Sequence, residues 1–277
     1  ALPIWHHDGG YILNKSSTRK RFIIPAVIVM GISLQQCAGQ KEDLEASNIG
    51  DTYERGLEYF EKDNYIKAEE VFTFIIYNDP GGAYADDAQF QLAETYFERE
   101  EYLLAISEYD RLIRRMKNSS YVEDAFWKKA VSYCELSPDY RLERDMTDKA
   151  LRFLYDFVDI YPESKYSEQA QTRIMEMREK LARKLLESAK LYDTLREYES
   201  AIYYYDNVIN EYGDTGLYAA ARLGKAGDMV ALGRWSEARE LMNSIALNGK
   251  NDLTPKELLK MRTLGEKVVA ETETSKK

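Results

Sequence analysis

The sequence predicts an all-α fold, a superhelix of five helix pairs closed by a C-terminal capping helix. The first observation behind this is a recurring frame of small residues and aromatics. It reads Gly56, Tyr59, Tyr65, Ala68, Phe72 and Pro80, then Ala93, Tyr96, Tyr102, Ala105 and Tyr109. It returns as Ala130 and Tyr133 and, after extra residues, Ala150, Leu154 and Pro162. The last two copies are Ala189, Tyr192, Tyr198, Ala201 and Tyr205, then Ala226, Met229, Trp235, Ala238 and Met242. The second observation is the period. The small residues stand 12 apart in four copies, and successive copies stand 37 apart from Gly56 to Ala93 to Ala130 and from Ala189 to Ala226. A small side chain lets one helix axis approach the next, and large aromatics fill the space beside it. The third is composition: 44% hydrophobic and 31% charged residues suit a folded, helix-rich body.

Taken in order, residues 1–17 read as neither helix nor strand. Thr18-Arg19-Lys20-Arg21 then precedes an apolar run of 13 residues, Phe22 to Leu34, and Gln35-Gln36-Cys37 follows. A basic start, a short apolar run and a cleavage region make a secretory signal. The run is too short for an ordinary membrane-spanning helix. A cysteine directly past it resembles a bacterial lipoprotein signal, which implies acylation of Cys37 as the new N-terminus. A plain signal or a short anchor is the alternative. Residues 1–36 are thus expected to be a signal peptide with an upstream extension, and 37–48 a flexible, lipid-anchored tether. Cleavage before Cys37 removes four of 38 basic and one of 48 acidic residues together with both histidines, His6 and His7.

The five repeats are expected over 49–250. The first begins at Ile49 with Asp51 as a candidate N-cap and ends at the breaker Asn78-Asp79-Pro80-Gly81-Gly82. The second ends at Asn118-Ser119-Ser120. The third carries eight extra residues within Leu136–Thr147, a polar stretch marked by Ser137-Pro138, and ends at Tyr161-Pro162. Ser167 to Tyr192 holds no Gly or Pro, and Ile174, Met177, Leu181, Leu185 and Leu191 recur along it, so one long helix is expected to open repeat four. Repeat four ends at Tyr212-Gly213 and repeat five near Asn248-Gly249. Thr254-Pro255 starts a final helix covering the open end of the stack, within 251–277, and the tail after Ala270 is expected to be disordered.

The composition excludes several functions. A net charge of −10 argues against binding nucleic acid or an anionic membrane face through charge. Without histidine after cleavage there is no Ser–His or Cys–His catalysis. The sequence lacks GxxxxGK[ST] and GxGxxG phosphate loops and any cysteine cluster for zinc, so no metal or cofactor is expected. Acidic pairs such as Asp86-Asp87 read as solvated helix faces, and Cys134, beside Ala130 and Tyr133, as a small buried hydrophobe. What remains is surface. The groove of such a stack is lined by the first helix of each pair, which presents Tyr53, Leu57 and Phe60, then Phe90, Glu94 and Phe97, then Trp127 and Val131. Repeat four offers Leu186, Lys190 and Asp193 there, a more polar set. The aromatic half reads either as core between repeats or as a pocket for an extended peptide with aromatic side chains.

The frame resembles the tetratricopeptide repeat, a helix–turn–helix unit of about 34 residues. The insertion in repeat three, the long helix after it, the segment Tyr161-Pro162-Glu163-Ser164-Lys165-Tyr166 and the lipoprotein-like start together resemble the BamD family. Those are the tetratricopeptide lipoproteins of the bacterial outer-membrane β-barrel assembly machine. The resemblance covers about 37–250. It implies a non-catalytic scaffold, lipid-anchored on the periplasmic face of the outer membrane. Its C-terminal repeats would bind the barrel-forming subunit and join the machine's other subunits. Its N-terminal repeats would receive unfolded outer-membrane proteins through a C-terminal aromatic signal. Another periplasmic adaptor in envelope biogenesis or cell division, or an enzyme acting on cell-wall glycan through carboxylates alone, stays open.

Overall fold

The structure, a computed structural model, describes residues 48–248 and 253–274. The expected signal peptide, Cys37 and the tether up to residue 47 lie outside the described residues, as does the end of the tail at 275–277. Among the described residues there are eleven helices and no strand. They form five pairs: α1 (Ile49–Glu61) with α2 (Tyr65–Asn78), α3 (Ala85–Glu98) with α4 (Tyr102–Arg115), α5 (Val122–Glu135) with α6 (Asp145–Ile160), α7 (Ser167–Thr194) with α8 (Tyr198–Glu211), and α9 (Tyr218–Ala231) with α10 (Trp235–Asn248). The last helix, α11 (Pro255–Thr274), packs on α9 and α10. Elsewhere each helix packs chiefly on its neighbours in sequence, as in a stack with nearest-neighbour interfaces.

The small residues of the frame sit where the helices cross. Ala68, Ala93, Ala105, Ala130, Ala150, Ala189, Ala201, Ala226 and Ala238 are all fully buried. A Cβ at Gly56 would stand 2.7 Å from a carbon of the Phe72 ring and 2.9 Å from a methyl of Val71. That contact distance is what the first position of the frame demands.

Two kinds of turn set the period. Within four of the pairs the connection is three residues, at 62–64, 99–101, 195–197 and 232–234. Its second residue is left-handed each time: Asp63 at φ 56°, Glu100 at 60°, Arg196 at 63° and Gly233 at 76°. Between pairs the connection is six residues, at 79–84, 116–121, 161–166 and 212–217. Three of these turns end on a tyrosine: Tyr84, Tyr121 and Tyr166.

Three local expectations need correction. The cap of α1 is Asn48, whose Oδ1 accepts from the Asp51 N–H at 3.3 Å, so Asp51 lies inside the first turn. A side-chain amide before the helix reaches its free donors, which a residue already in the helix cannot do as well. The insertion is shorter as a loop than its sequence, since 136–144 is non-helical but Asp145–Thr147 already belong to α6. Thr147 Oγ1 lies 2.7 Å from Ser137 Oγ across the mouth of the loop. Helix α11 continues through 271–274, past the point where the sequence suggests an unordered tail. It starts with a reciprocal cap. Thr254 N donates to Glu257 Oε2 at 2.8 Å, and Glu257 N donates to Thr254 Oγ1 at 3.3 Å.

The 28-residue α7 serves two repeats. Its first half closes the core of repeat three, where Ala170, Ile174 and Met177 meet Trp127, Leu154 and Phe157. Its second half opens repeat four, where Leu181, Leu186 and Ala189 meet Tyr205 and Val208.

Candidate functional site

The aromatics expected along the groove divide into two groups. Tyr53, Phe90 and Trp127 occupy one position of the 37-residue frame, and each is covered by the tyrosine that ends the next six-residue turn. Tyr53 lies 5.3 Å from Tyr84 between ring centroids. Phe90 stacks on Tyr121 at 4.7 Å, and Trp127 on Tyr166 at 5.2 Å. The tyrosine hydroxyls are also held: Tyr121 Oη donates to Asp87 at 2.8 Å and Tyr166 Oη to Asp124 at 2.6 Å. At the equivalent place in repeat one stands Gly50, where a Cβ would lie 3.2 Å from Tyr84 Oη. Tyr53 is only 8% exposed and Trp127 5%. Burial, and after it the charge of Asp87, pushes the Tyr53 phenol well above its ordinary range. Tyr53, Phe90 and Trp127 are therefore packed between repeats, and of the three only Trp127 also borders a cleft between α5 and α7.

The second group is more open. Leu57 and Phe60 are half-buried at the edge of the first core, and Phe60 meets Tyr65 edge-on at 5.6 Å. Phe97 meets Tyr102 edge-on at 5.4 Å, and Lys128 Nζ lies 4.5 Å from the Phe97 centroid. Phe97, Trp127, Lys128 and Val131 form one wall of a cleft of about 440 Å³, and Gln169, Thr172, Arg173 and Glu176 of α7 form the other. The structure thus brings together Phe97, Trp127 and Val131. Tyr53, Leu57, Phe60 and Phe90 lie outside this cleft. Glu94 stands behind it and accepts from Lys128 Nζ at 2.7 Å and from the Tyr109 hydroxyl. Arg173 bridges the two walls, with Nη2 3.3 Å from Glu135 and Nη1 3.2 Å from Glu176.

The α7 wall has a signal in the sequence that the repeat frame passes over. Gln169, Thr172, Arg173 and Glu176 stand at i, i+3, i+4 and i+7, one face of a helix, beside the face that buries Ala170, Ile174 and Met177. Length alone marks this half of α7 as a connector.

Three other features have chemistry. Asp228 is 2% exposed, and its Oδ2 has no hydrogen-bond partner. Burial first, then the charge of Asp193 and a hydrogen bond to it, raises the Asp228 carboxyl to about 7. The pair joins the half-buried Asp193 of α7 to the buried Asp228 of α9 where the two helices meet. Cys134 is buried, and that burial pushes its thiol up to about 12, which suits a packing role. A second, largely apolar cleft of about 490 Å³ lies between α10 and α11, lined in part by Met242, Leu258, Met261 and Val268. Among the described residues no helix is long and apolar enough to cross a membrane, and no three His, Cys, Asp or Glu side chains converge to hold a metal ion.

Comparison with known proteins adds to this geometry. A family model described as an outer membrane lipoprotein, YfiO, matches residues 45–229. An outer membrane protein assembly factor BamD from Rickettsia prowazekii (strain Madrid E) is 24% identical over 230 residues, covering 83% of this chain and 92% of its own. Among solved structures, the TPR2AB-domain–pHSP90 complex of yeast Sti1 covers 81% of this chain and 100% of its own at 14% identity, with a TM-score of 0.42. A tetratricopeptide repeat protein from Parabacteroides merdae covers 83% of this chain and 89% of its own at 16% identity, with a TM-score of 0.36.

Proposed function

The chain belongs to the YfiO family of outer membrane lipoproteins, and from that membership we propose that it is a non-catalytic scaffold of the outer-membrane β-barrel assembly machine. Acylated at Cys37, it is held on the periplasmic face of the outer membrane, where several acyl chains anchor a protein stably. Repeats three to five dock on the barrel-forming subunit, with α7 and the 136–144 loop near the contact. The cleft beside Phe97, Trp127 and Val131 receives aromatic side chains of unfolded outer-membrane proteins. The relative named an outer membrane protein assembly factor supports the partner class.

The observation that carries the reading is the cleft itself. It is a recess between α5 and α7 whose wall carries the half-buried Phe97 and the edge of Trp127, two rings that also have partners within the stack. Stacking and edge contacts of about 0.5–1.5 kcal/mol each beyond burial suit capture and release of a chain that must be handed on.

Site-specific photo-cross-linking in native envelopes tests the reading. A photoreactive residue in place of the exposed Thr172 should form adducts with unfolded outer-membrane proteins, and one in place of the exposed Leu142 with the barrel-forming subunit. Adducts with neither class would move the chain to another adaptor role in the envelope. Cys37→Ala should release the body into the soluble fraction. A variant that stays on membranes, with native Cys37 unmodified by mass spectrometry, would remove the anchor.

A further inference from the structure

We propose that the turns joining α1 to α2 and α3 to α4 form a docking surface for a basic segment of a partner protein that carries aliphatic side chains along one side. This goes beyond the cleft and stands whether or not the cleft takes peptides. The residues recur at the spacing of one repeat. Ile66 and Leu103, 37 apart, hold the second position of α2 and of α4, and Leu104 follows. They are 73%, 61% and 48% exposed. A lone exposed leucine is ordinary surface, whereas aliphatics grouped at one edge mark a contact. The two helix starts are tied together. Glu69 of α2 pairs with Arg99, which also pairs at 2.8 Å with Glu101, the residue before α4. Beside the aliphatics, Tyr65 and Tyr102 are braced edge-on by Phe60 and Phe97 at 5.6 and 5.4 Å.

Local stability does not explain these side chains. The first turn of a helix gains from a carboxylate, which meets its free N–H groups and the positive end of its dipole. Helices α6, α8 and α10 carry an acidic residue there, and α2 and α4 carry none. In repeats four and five Glu199 and Ser236 stand in the frame where Ile66 and Leu103 do.

The surrounding charge selects the partner. Residues 58–67 and 95–104, the same stretch of two successive repeats, hold six carboxylates against three cations. The cations are already engaged: Lys62 with Glu58 at 3.3 Å, Lys67 with the Tyr59 hydroxyl at 3.3 Å, and Arg99 in the bridge to Glu69 and Glu101. Glu61, Glu98 and Glu100 are exposed and, among the described residues, take part in no ion pair. Such a surface repels an anionic membrane face, and a second copy of this chain, at a net charge of −10, has the wrong sign overall. A segment with Leu or Ile along one side and Lys or Arg beside it covers the aliphatics and pairs the open carboxylates together.

Three synthetic peptides test this against the full chain, read by fluorescence anisotropy. One is built of Leu and Lys with the leucines along one side, one has Glu for every Lys, and one has Ser for every Leu. The Leu–Lys peptide should bind about tenfold more tightly than either of the others. Ile66→Ser with Leu103→Ser and Leu104→Ser should weaken it about tenfold, and so should Glu61→Lys with Glu98→Lys. All five positions are exposed, so circular dichroism should be unchanged. Leu259→Ser, at a 64% exposed position of α11, should leave binding as it is. Binding of the Leu–Lys peptide that neither set of substitutions weakens, or that the Ser peptide equals, would overturn the proposal. Two further results would overturn it by naming another occupant. One is binding to vesicles of anionic phosphatidylglycerol that the triple Ser variant loses, which would make the surface a membrane contact. The other is self-association in sedimentation that the same variant loses, which would make it a contact between copies.

Discussion

Glu100 and Arg196 hold a backbone conformation that suits glycine, at the same turn position that Gly233 fills without strain. A side chain in the left-handed region costs about 1–2 kcal/mol. The Glu100 turn therefore stores strain that Glu100→Gly should relieve. Part of that gain is offset by the larger unfolded-state entropy of glycine, so a net stabilisation of about 0.5–1 kcal/mol is expected in urea titration. Gly233→Ala should move the midpoint the other way. Asp228 carries a different burden. Its folded carboxyl is raised to about 7, well above the ordinary carboxylate range it has when unfolded. The native state thus holds this proton more tightly than the unfolded chain. Its contribution is most favourable at acid pH and is lost as pH rises toward 7. Tyr205 on α8 and Lys260 on α11 share this surrounding with Asp193. Asp228→Asn should flatten that slope and stabilise the fold by about 2 kcal/mol at pH 8, with a smaller gain at pH 5, by thermal melts across pH.

Among the elements, α7 carries the insertion as well as two cores. Lys180 Nζ donates to the Ser137 carbonyl at 3.1 Å and to its hydroxyl at 2.9 Å, and Lys184 Nζ reaches the Leu142 carbonyl at 2.5 Å. The loop is thereby laid along the helix, and its position follows the helix. Lys180→Ala with Lys184→Ala should raise hydrogen exchange across 136–144 while leaving exchange within α5 and α6 unchanged. The helices themselves are legible in the sequence because a crossing tolerates almost no volume, so Ala93, Ala130 and Ala226 mark their places. The fate of Tyr53, Phe90 and Trp127 is harder to read. Their partners stand 31, 31 and 39 residues later, at Tyr84, Tyr121 and Tyr166. The last spacing is the first lengthened by the eight inserted residues. An aromatic alone does not say whether its partner lies in its own chain or in a ligand. The cleft was legible on one wall only, since the frame names Phe97, Trp127 and Val131 but assigns no role to the first half of α7.

At the scale of the molecule, core follows core along the stack, each built from neighbouring helices. The six-residue turns have a further consequence, for how such a chain can change in length. Tyr84 and Tyr121 end equivalent turns, and each is followed by the first residue of an equivalent helix. Excising 85–121 would join Tyr84 directly to Val122 and set its ring against α1 on one side and α5 on the other. The seam would have the same chemistry as the two it replaces. The shortened protein should remain helical by circular dichroism and unfold cooperatively, though at lower denaturant, because one interface is gone. A cut of 34 residues at the same point should leave it aggregated, since it would place the next ring a turn away from its partner. In the regular part of the stack, from α1 to α5, length therefore comes in units of 37 residues, and Tyr84 and Tyr121 at its two seams act as the gauge that rejects any other.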